Sequence, residues 1–153
     1  MSLRKLRWAF YLIMAWLALR LVRVLLWMLG YRKTVLVLAR LSPAPRRAGY
    51  TGSMRVAARA IERVDGWWPN QPRGCLRRSL LFWWLFRWLG YSSEIRTGVH
   101  RGDGEFKLHA WVESRGIILN DRPVKVRQYE VLWDDISSRV IEAEGRQCAP
   151  LSL

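Results

Sequence analysis

Acidic residues are scarce in this chain: 12 Asp and Glu stand against 26 Lys and Arg, giving a formal net charge of +14. The shortage argues against a basic partner and points to an acidic one: an anionic membrane face, an acidic peptide or a nucleic acid. Nucleic acid is set aside, because the arginines are scattered through apolar helices and neither zinc-finger spacing nor an RNA-binding signature is present. Cysteine is scarcer still. With only Cys75 and Cys148, a disulfide framework and a CxxC metal site are both excluded, and a reduced, cytoplasmic setting fits. Cys148, in the tail, reads as a free thiol of no special role. Internal repeats and low-complexity segments are missing too.

A bilayer span by the first helix is possible but not favoured. From Trp8 to Leu19 there is no charge, but Arg20 and Arg23 interrupt the second half. Each mid-span Arg costs about 2.5 to 3.5 kcal/mol on an insertion scale, against about 0.3 to 0.6 gained per Leu or Ile. No small-x-small cleavage site follows the basic start, so a signal peptide fits poorly. Leu3 to Gly30 is therefore read as a helix packed on the domain, with Lys5, Arg20 and Arg23 turned to water. The sharper reading adds contact with a membrane surface or a partner, the tryptophans Trp8, Trp16 and Trp27 at the boundary. That contact would make the protein peripheral at the inner face of the membrane.

What is present is room for one core at 153 residues. Residues 1–50 form an apolar and basic helical segment with its linker, Ser42-Pro-Ala-Pro, and residues 51–153 the core domain. Ser53 is expected to cap a helix from Met54 to Val64. Gly74 to Gly90 predicts a helix whose apolar residues, including Trp83, Trp84 and Phe86, cover most of its circumference, as in a helix packed on several sides. After Gly90 the period changes to two. Strands are expected over Glu94–Val99, Phe106–Glu113 and Ile117–Asp121, with turns at Gly102-Asp103-Gly104 and Ser114-Arg115-Gly116. Tyr129, Val131 and Trp133 suggest one more strand, and a short helix or tail follows Asp134. Helices followed by an antiparallel meander make an α+β fold.

Cys75 falls in the first turn of its helix, where unpaired N–H groups and the helix dipole favour a thiolate. If Ser114-Arg115-Gly116 is a three-residue loop, Glu113 lies opposite Ile117 and His109 opposite Asp121. Opposed residues have Cβ atoms about 4.5 to 5.5 Å apart, so the carboxylate can orient the imidazole. A base with its acid is what a nucleophilic cysteine requires. Each residue alone has a plainer reading: inert core thiol, structural strand histidine, turn-starting aspartate. Glu113 is the other acid on His109's face but sits about 13 Å along the strand, and His100, beside Arg101, reads as solvated. A zinc site from Cys75, His109 and Asp121 has suitable ligand types but no recognised spacing.

The run Cys75-Leu-Arg-Arg-Ser-Leu, with Leu89-Gly90, Gly98-Val99, His109-Ala-Trp-Val-Glu113 and Asp121, resembles the transglutaminase-like cysteine peptidases of lasso peptide biosynthesis, over about Val56 to Asp121. The resemblance implies a papain-like and transglutaminase-like fold, with Cys75 as nucleophile, His109 as base and acid, and Asp121 as orienting carboxylate. It implies no cofactor and no metal. Its substrate would be a ribosomally made precursor whose leader, commonly with Thr as its penultimate residue, is cut off so that a separate ATP-dependent cyclase closes the macrolactam. Met1 to Arg73 offers no three-stranded pattern for the leader-recognition domain that some relatives carry, so a separate leader-recognition protein is expected, with the first helix a candidate surface for it. The Cys75 N–H is the natural oxyanion donor, with Asn70 or Gln71 as side-chain candidates. Two other readings stay open: an acyltransferase using the same three residues, and a non-catalytic scaffold in a peptide maturation complex.

Overall fold

The computed structural model describes residues 3–43, 52–67, 74–102, 105–133 and 139–142. The element order is α1 (Leu3–Arg40), α2 (Gly52–Asp65), α3 (Cys75–Trp88), β1 (Glu94–Gly102), β2 (Glu105–Ser114), β3 (Ile117–Ile118), α4 (Pro123–Val126) and β4 (Glu130–Trp133). The sheet runs β3-β2-β1-β4, antiparallel throughout. This is the α+β arrangement that the switch from helical to alternating periodicity implies.

The chain breaks α1 into two limbs at Gly30, whose φ of 70° lies where L side chains are rarely found. Thr34 closes the break by donating its hydroxyl to the Gly30 carbonyl, 2.7 Å away. On the first limb Ala15, Leu19 and Val22 recur at helical spacing and are buried; on the second, Val35 and Leu38 are. They share one core with Ala60, Ile61 and Val64 of α2, Leu80, Leu81, Phe82, Trp83 and Phe86 of α3, and Ile95 and Val112 of the sheet. Helix α2 runs Gly52–Asp65, which puts Ser53 within it and not before it.

Helix α3 is central. Its buried residues fall on most of its circumference, since α1, α2 and β2 pack around it. It ends where Gly90, with φ 81°, lets the Tyr91 N–H reach the Phe86 carbonyl at 2.8 Å. Strand β2 is buried on both faces over its second half, Ala110 and Val112 on one side and His109 and Trp111 on the other. Phe106 and Leu108, nearer the β1–β2 turn, are exposed. That turn pairs Gly102 with Glu105, its residues 103–104 lying outside the described residues.

The third strand is shorter than its sequence suggests, and its register differs by one. Arg115 and Gly116, with φ of 50° and 75°, make a two-residue turn that pairs Ser114 with Ile117 and Glu113 with Ile118. The twist of paired strands favours this tight turn over a three-residue loop. Beyond Ile118 the chain leaves the ladder. The fourth strand forms as expected; residues 134–138 and Cys148 lie outside the described residues, while 139–142 are helical.

Helices α2 and α3 are also joined by charge. The Asp65 side chain, 1% exposed at the end of α2, pairs with Arg77, and Arg78 lies 4.0 Å from its second oxygen. Asp65→Ala takes the carboxylate from the partly buried Arg77 guanidinium and one of two from Arg78, and is expected to cost about 3 kcal/mol. Urea denaturation should show a lower midpoint with an unchanged slope; an unchanged midpoint would remove Asp65 from the account of stability.

Candidate active site

Cys75 is the first residue of α3. Gly74 precedes it in an extended conformation with no side-chain cap, so the N–H groups of the first turn point outward without intrahelical acceptors. The Leu76 N–H, the Ala110 N–H of β2 and the His109 side chain all lie near enough to the Cys75 sulfur to favour its thiolate. The thiol thus sits at the seam where the start of α3 meets β2.

His109 is 6% exposed. Its Nε2 contacts Asp121 Oδ2 at 2.6 Å, which leaves Nδ1 as the ring nitrogen for Cys75. The rings of Tyr129 and Trp111 lie 4.9 and 6.2 Å from the imidazole, tilted by 34° and 23°. Tyr129 can lie this close because residue 98 is glycine: a Cβ there would meet the Glu130 carbonyl oxygen at 2.9 Å and the Tyr129 Cβ at 3.0 Å.

Asp121 reaches His109 by a different route from the one its sequence position suggests. In the observed register a continued ladder would carry residue 122, not 121, opposite His109. The chain instead bends off after Ile118. The Leu119 N–H still donates to the Val112 carbonyl at 2.9 Å, and the next ladder position is taken by a side chain: Asn120 Oδ1 accepts the Val112 N–H at 2.8 Å. Asn120 Nδ2 donates to Ser79 Oγ at 3.0 Å, and Ser79 donates to the Ala110 carbonyl, also at 3.0 Å. These buried polar groups satisfy one another, as groups removed from water must, and they tie α3 to β2 within a turn of Cys75. Asp121 is then held by the Arg122 N–H at 2.8 Å, Lys125 at 3.2 Å and Arg78 at 3.6 Å.

Three ionisations follow from these contacts. Burial pushes the Cys75 thiol up, but the His109 hydrogen bond, the Ala110 N–H, the His109 charge and the Leu76 N–H outweigh it, and the thiol ionises below its ordinary value. Burial pushes His109 down; the bonds to Asp121 and Cys75 outweigh this and Lys125's repulsion, so His109 holds its proton above the usual histidine range. Burial pushes Asp121 up, and His109, the Arg122 N–H and Lys125 bring it well below the usual carboxylate range. The arrangement favours a thiolate beside an imidazolium, the form in which a cysteine attacks a carbonyl carbon.

The structure therefore brings both Cys75 and Asp121 against His109. No group of three or more His, Cys, Asp or Glu among the described residues is placed to hold a metal ion. Glu113 is engaged elsewhere, accepting from Trp111 Nε1 at 2.7 Å and ion-paired with Arg96, whose Nε lies 2.8 Å from Oε2. His100 is not simply solvated: its Nδ1–H donates to the Gln128 carbonyl at 2.7 Å, because β4's approach covers it. Asn70 and Gln71 lie outside the described residues. Ser79, Asn120, Lys125 and Tyr129 were not singled out from sequence. Only Ser79 carried a signal, as a small polar residue four places after Cys75 at the head of the apolar run 80–86.

A family model described as the transglutaminase-like superfamily matches residues 15–134. No curated protein sequence and no solved structure matches the chain.

The lowered thiol sets a pH test in a Cys148→Ser background. Alkylation of Cys75 by iodoacetamide is expected to stay fast to a lower pH than for a free thiol, failing only as the sulfur is protonated. His109→Ala should move that acid limb upward. Identical limbs in the two proteins, at the position of an ordinary cysteine, would contradict the ion pair. Asn120→Ala leaves the buried Val112 N–H without its acceptor and is expected to cost about 2 kcal/mol. Ser79→Ala should cost less, and the double variant less than the sum of both; strict additivity in denaturant titrations would mean the two side chains do not act as one tie.

Proposed function

The chain belongs to the transglutaminase-like superfamily, typically cysteine-dependent enzymes of peptidase or acyl-transferring type, and on that premise we propose that it is a cysteine peptidase that removes the leader from a lasso peptide precursor. The observation that carries the reading is the His109–Asp121 pair at 2.6 Å beside a thiol at a helix start, close enough for His109 to favour the Cys75 thiolate. In this reading the Cys75 thiolate attacks the carbonyl carbon at the end of the leader. The developing oxyanion is received by the Cys75 N–H in the first turn of α3. His109, charged beforehand, gives its proton to the departing amine of the core peptide, leaving the leader as a thioester on Cys75. His109, now neutral, takes a proton from water, whose oxygen attacks the thioester and releases the leader acid. Asp121 keeps the ring turned with Nδ1 toward sulfur and stabilises its charged form.

The lasso assignment rests on the sequence resemblance around Cys75, His109 and Asp121, and the basic charge of the chain suits an acidic leader. The proposal places the protein in the cytoplasm, beside a separate leader-recognition protein and the ATP-dependent cyclase that uses the freed N-terminus. It needs no metal or organic cofactor.

The test is incubation of the purified protein and its leader-binding partner with the precursor, read by mass spectrometry. Wild type is expected to yield leader and core separated by one hydrolysed bond. Cys75→Ala and His109→Ala should each reduce the rate by about four orders of magnitude, and Asp121→Asn by about two to four. Absence of cleavage by wild type, or equal cleavage by Cys75→Ala, defeats the proposal. A product carrying an added amine in place of water makes the protein an acyltransferase.

A further inference from the structure

The first limb of α1 is apolar on two opposite faces. One, centred on Ala15, Leu19 and Val22, is buried in the core. At 100° per residue the other is centred close to diametrically opposite, and every position that falls in it between Leu6 and Met28 is apolar. Phe10, Ile13, Leu17, Leu21, Val24 and Met28 are all exposed there, Phe10 by 60%. The stripe is about 33 Å long by helix rise and roughly 10 Å wide, as large as the largest apolar patch a soluble monomer ordinarily shows to water. Trp16 and Trp27, the latter 85% exposed, run along one side of it, with the Arg20 guanidinium 5.3 Å over the Trp16 ring.

Charge indicates what covers the stripe. From Leu3 to Arg40 there is no Asp or Glu at all, while Lys5 and Arg7 stand at one end of the stripe, Arg20 and Arg23 along its side, and Arg32 and Lys33 past the break. A second copy of the chain would set these cations against their own kind. An occupant that is apolar, long, flat and anionic satisfies both the stripe and its border. We propose that α1 lies in the plane of a bilayer containing anionic lipid, its outer stripe sunk among the acyl chains near the headgroups. Trp16, Trp27, Arg20 and Arg23 sit at the boundary where amphipathic rings and long cationic side chains are stable.

The helix has the length and hydropathy of a membrane span, but its inner face decides the geometry. Ala15, Leu19 and Val22 belong to the same core as Trp83 and Phe86. A spanning helix would strip those residues from the core and carry Arg20 and Arg23 into the hydrocarbon, whereas an in-plane helix leaves the core intact and both arginines at the surface. The inference is independent of the peptidase reading and stands or falls without catalysis.

The test is sedimentation of full-length Cys75→Ala protein with vesicles of phosphatidylcholine alone and of equimolar phosphatidylcholine and phosphatidylglycerol. Binding to the anionic vesicles is expected to be at least about ten-fold tighter and to weaken with salt. Leu17→Gln with Leu21→Gln and Val24→Gln, all on the exposed face, should lower it by about ten-fold or more while leaving the thermal midpoint unchanged. Lys5→Glu with Arg7→Glu, outside the core, provides a second route and should lower it by roughly five-fold per charge removed from the surface. The proposal is overturned by no vesicle binding, by equal affinity for both vesicle types, or by resistance to extraction from the vesicles in alkaline carbonate, as a span would show. A protein dimer dissolved by the same stripe substitutions overturns it as well.

Discussion

The structure depends on one seam, where the first two turns of α3 meet the second half of β2. Asn120 and Ser79 close it by satisfying the Val112 N–H and the Ala110 carbonyl with side chains where a neighbouring strand would otherwise have supplied backbone. A buried polar tie of this kind is costly to break and directional, so it fixes the helix against the strand in a way that apolar packing alone does not. Cys75 on the helix and His109 on the strand are each within a few residues of it. Their geometry is a property of the seam.

Charge is arranged around the same place. Asp121 faces His109 on one side and Lys125, Arg78 and the Arg122 N–H on the other, while Arg78 also reaches toward Asp65. The added cations keep the carboxylate ionised, and an ionised carboxylate keeps the imidazole charged. The charged imidazole and two backbone N–H groups then outweigh the burial of the sulfur. Lys125 acts in both directions, lowering Asp121 while its own charge opposes that on His109.

The bulk of the fold was legible because periodicity reports burial directly. The change from a 3.6 to a 2.0 repeat after Gly90, the all-round apolar α3 and the glycine at its end required only local geometry. The hairpin register was less secure, since a tight turn and a three-residue loop fit Ser114-Arg115-Gly116 about equally well by composition. The expected pairing of His109 with Asp121 came from a ladder that does not exist at that point; the two meet because the chain bends away and a side chain takes over the ladder. Arg20 and Arg23 do face water, but beside an exposed apolar stripe that the expectation of a packed helix left out, because an apolar residue on a helix does not itself say which neighbour covers it.

By itself the sequence determined the residue types, their order, the position of Cys75 at a helix start and the alternation that brings His109 into a strand, all consequences of backbone geometry within a few residues. The tertiary structure alone decided that Asn120 would complete the ladder, that Tyr129 would pack on the imidazole across Gly98, and that Lys125 and Arg78 would hold Asp121. Apart from the Lys125–Asp121 pair, four positions apart, these contacts join residues 8 to 43 positions apart in the chain. No local period encodes such distances, because they are set by where separate elements come to rest against a shared core.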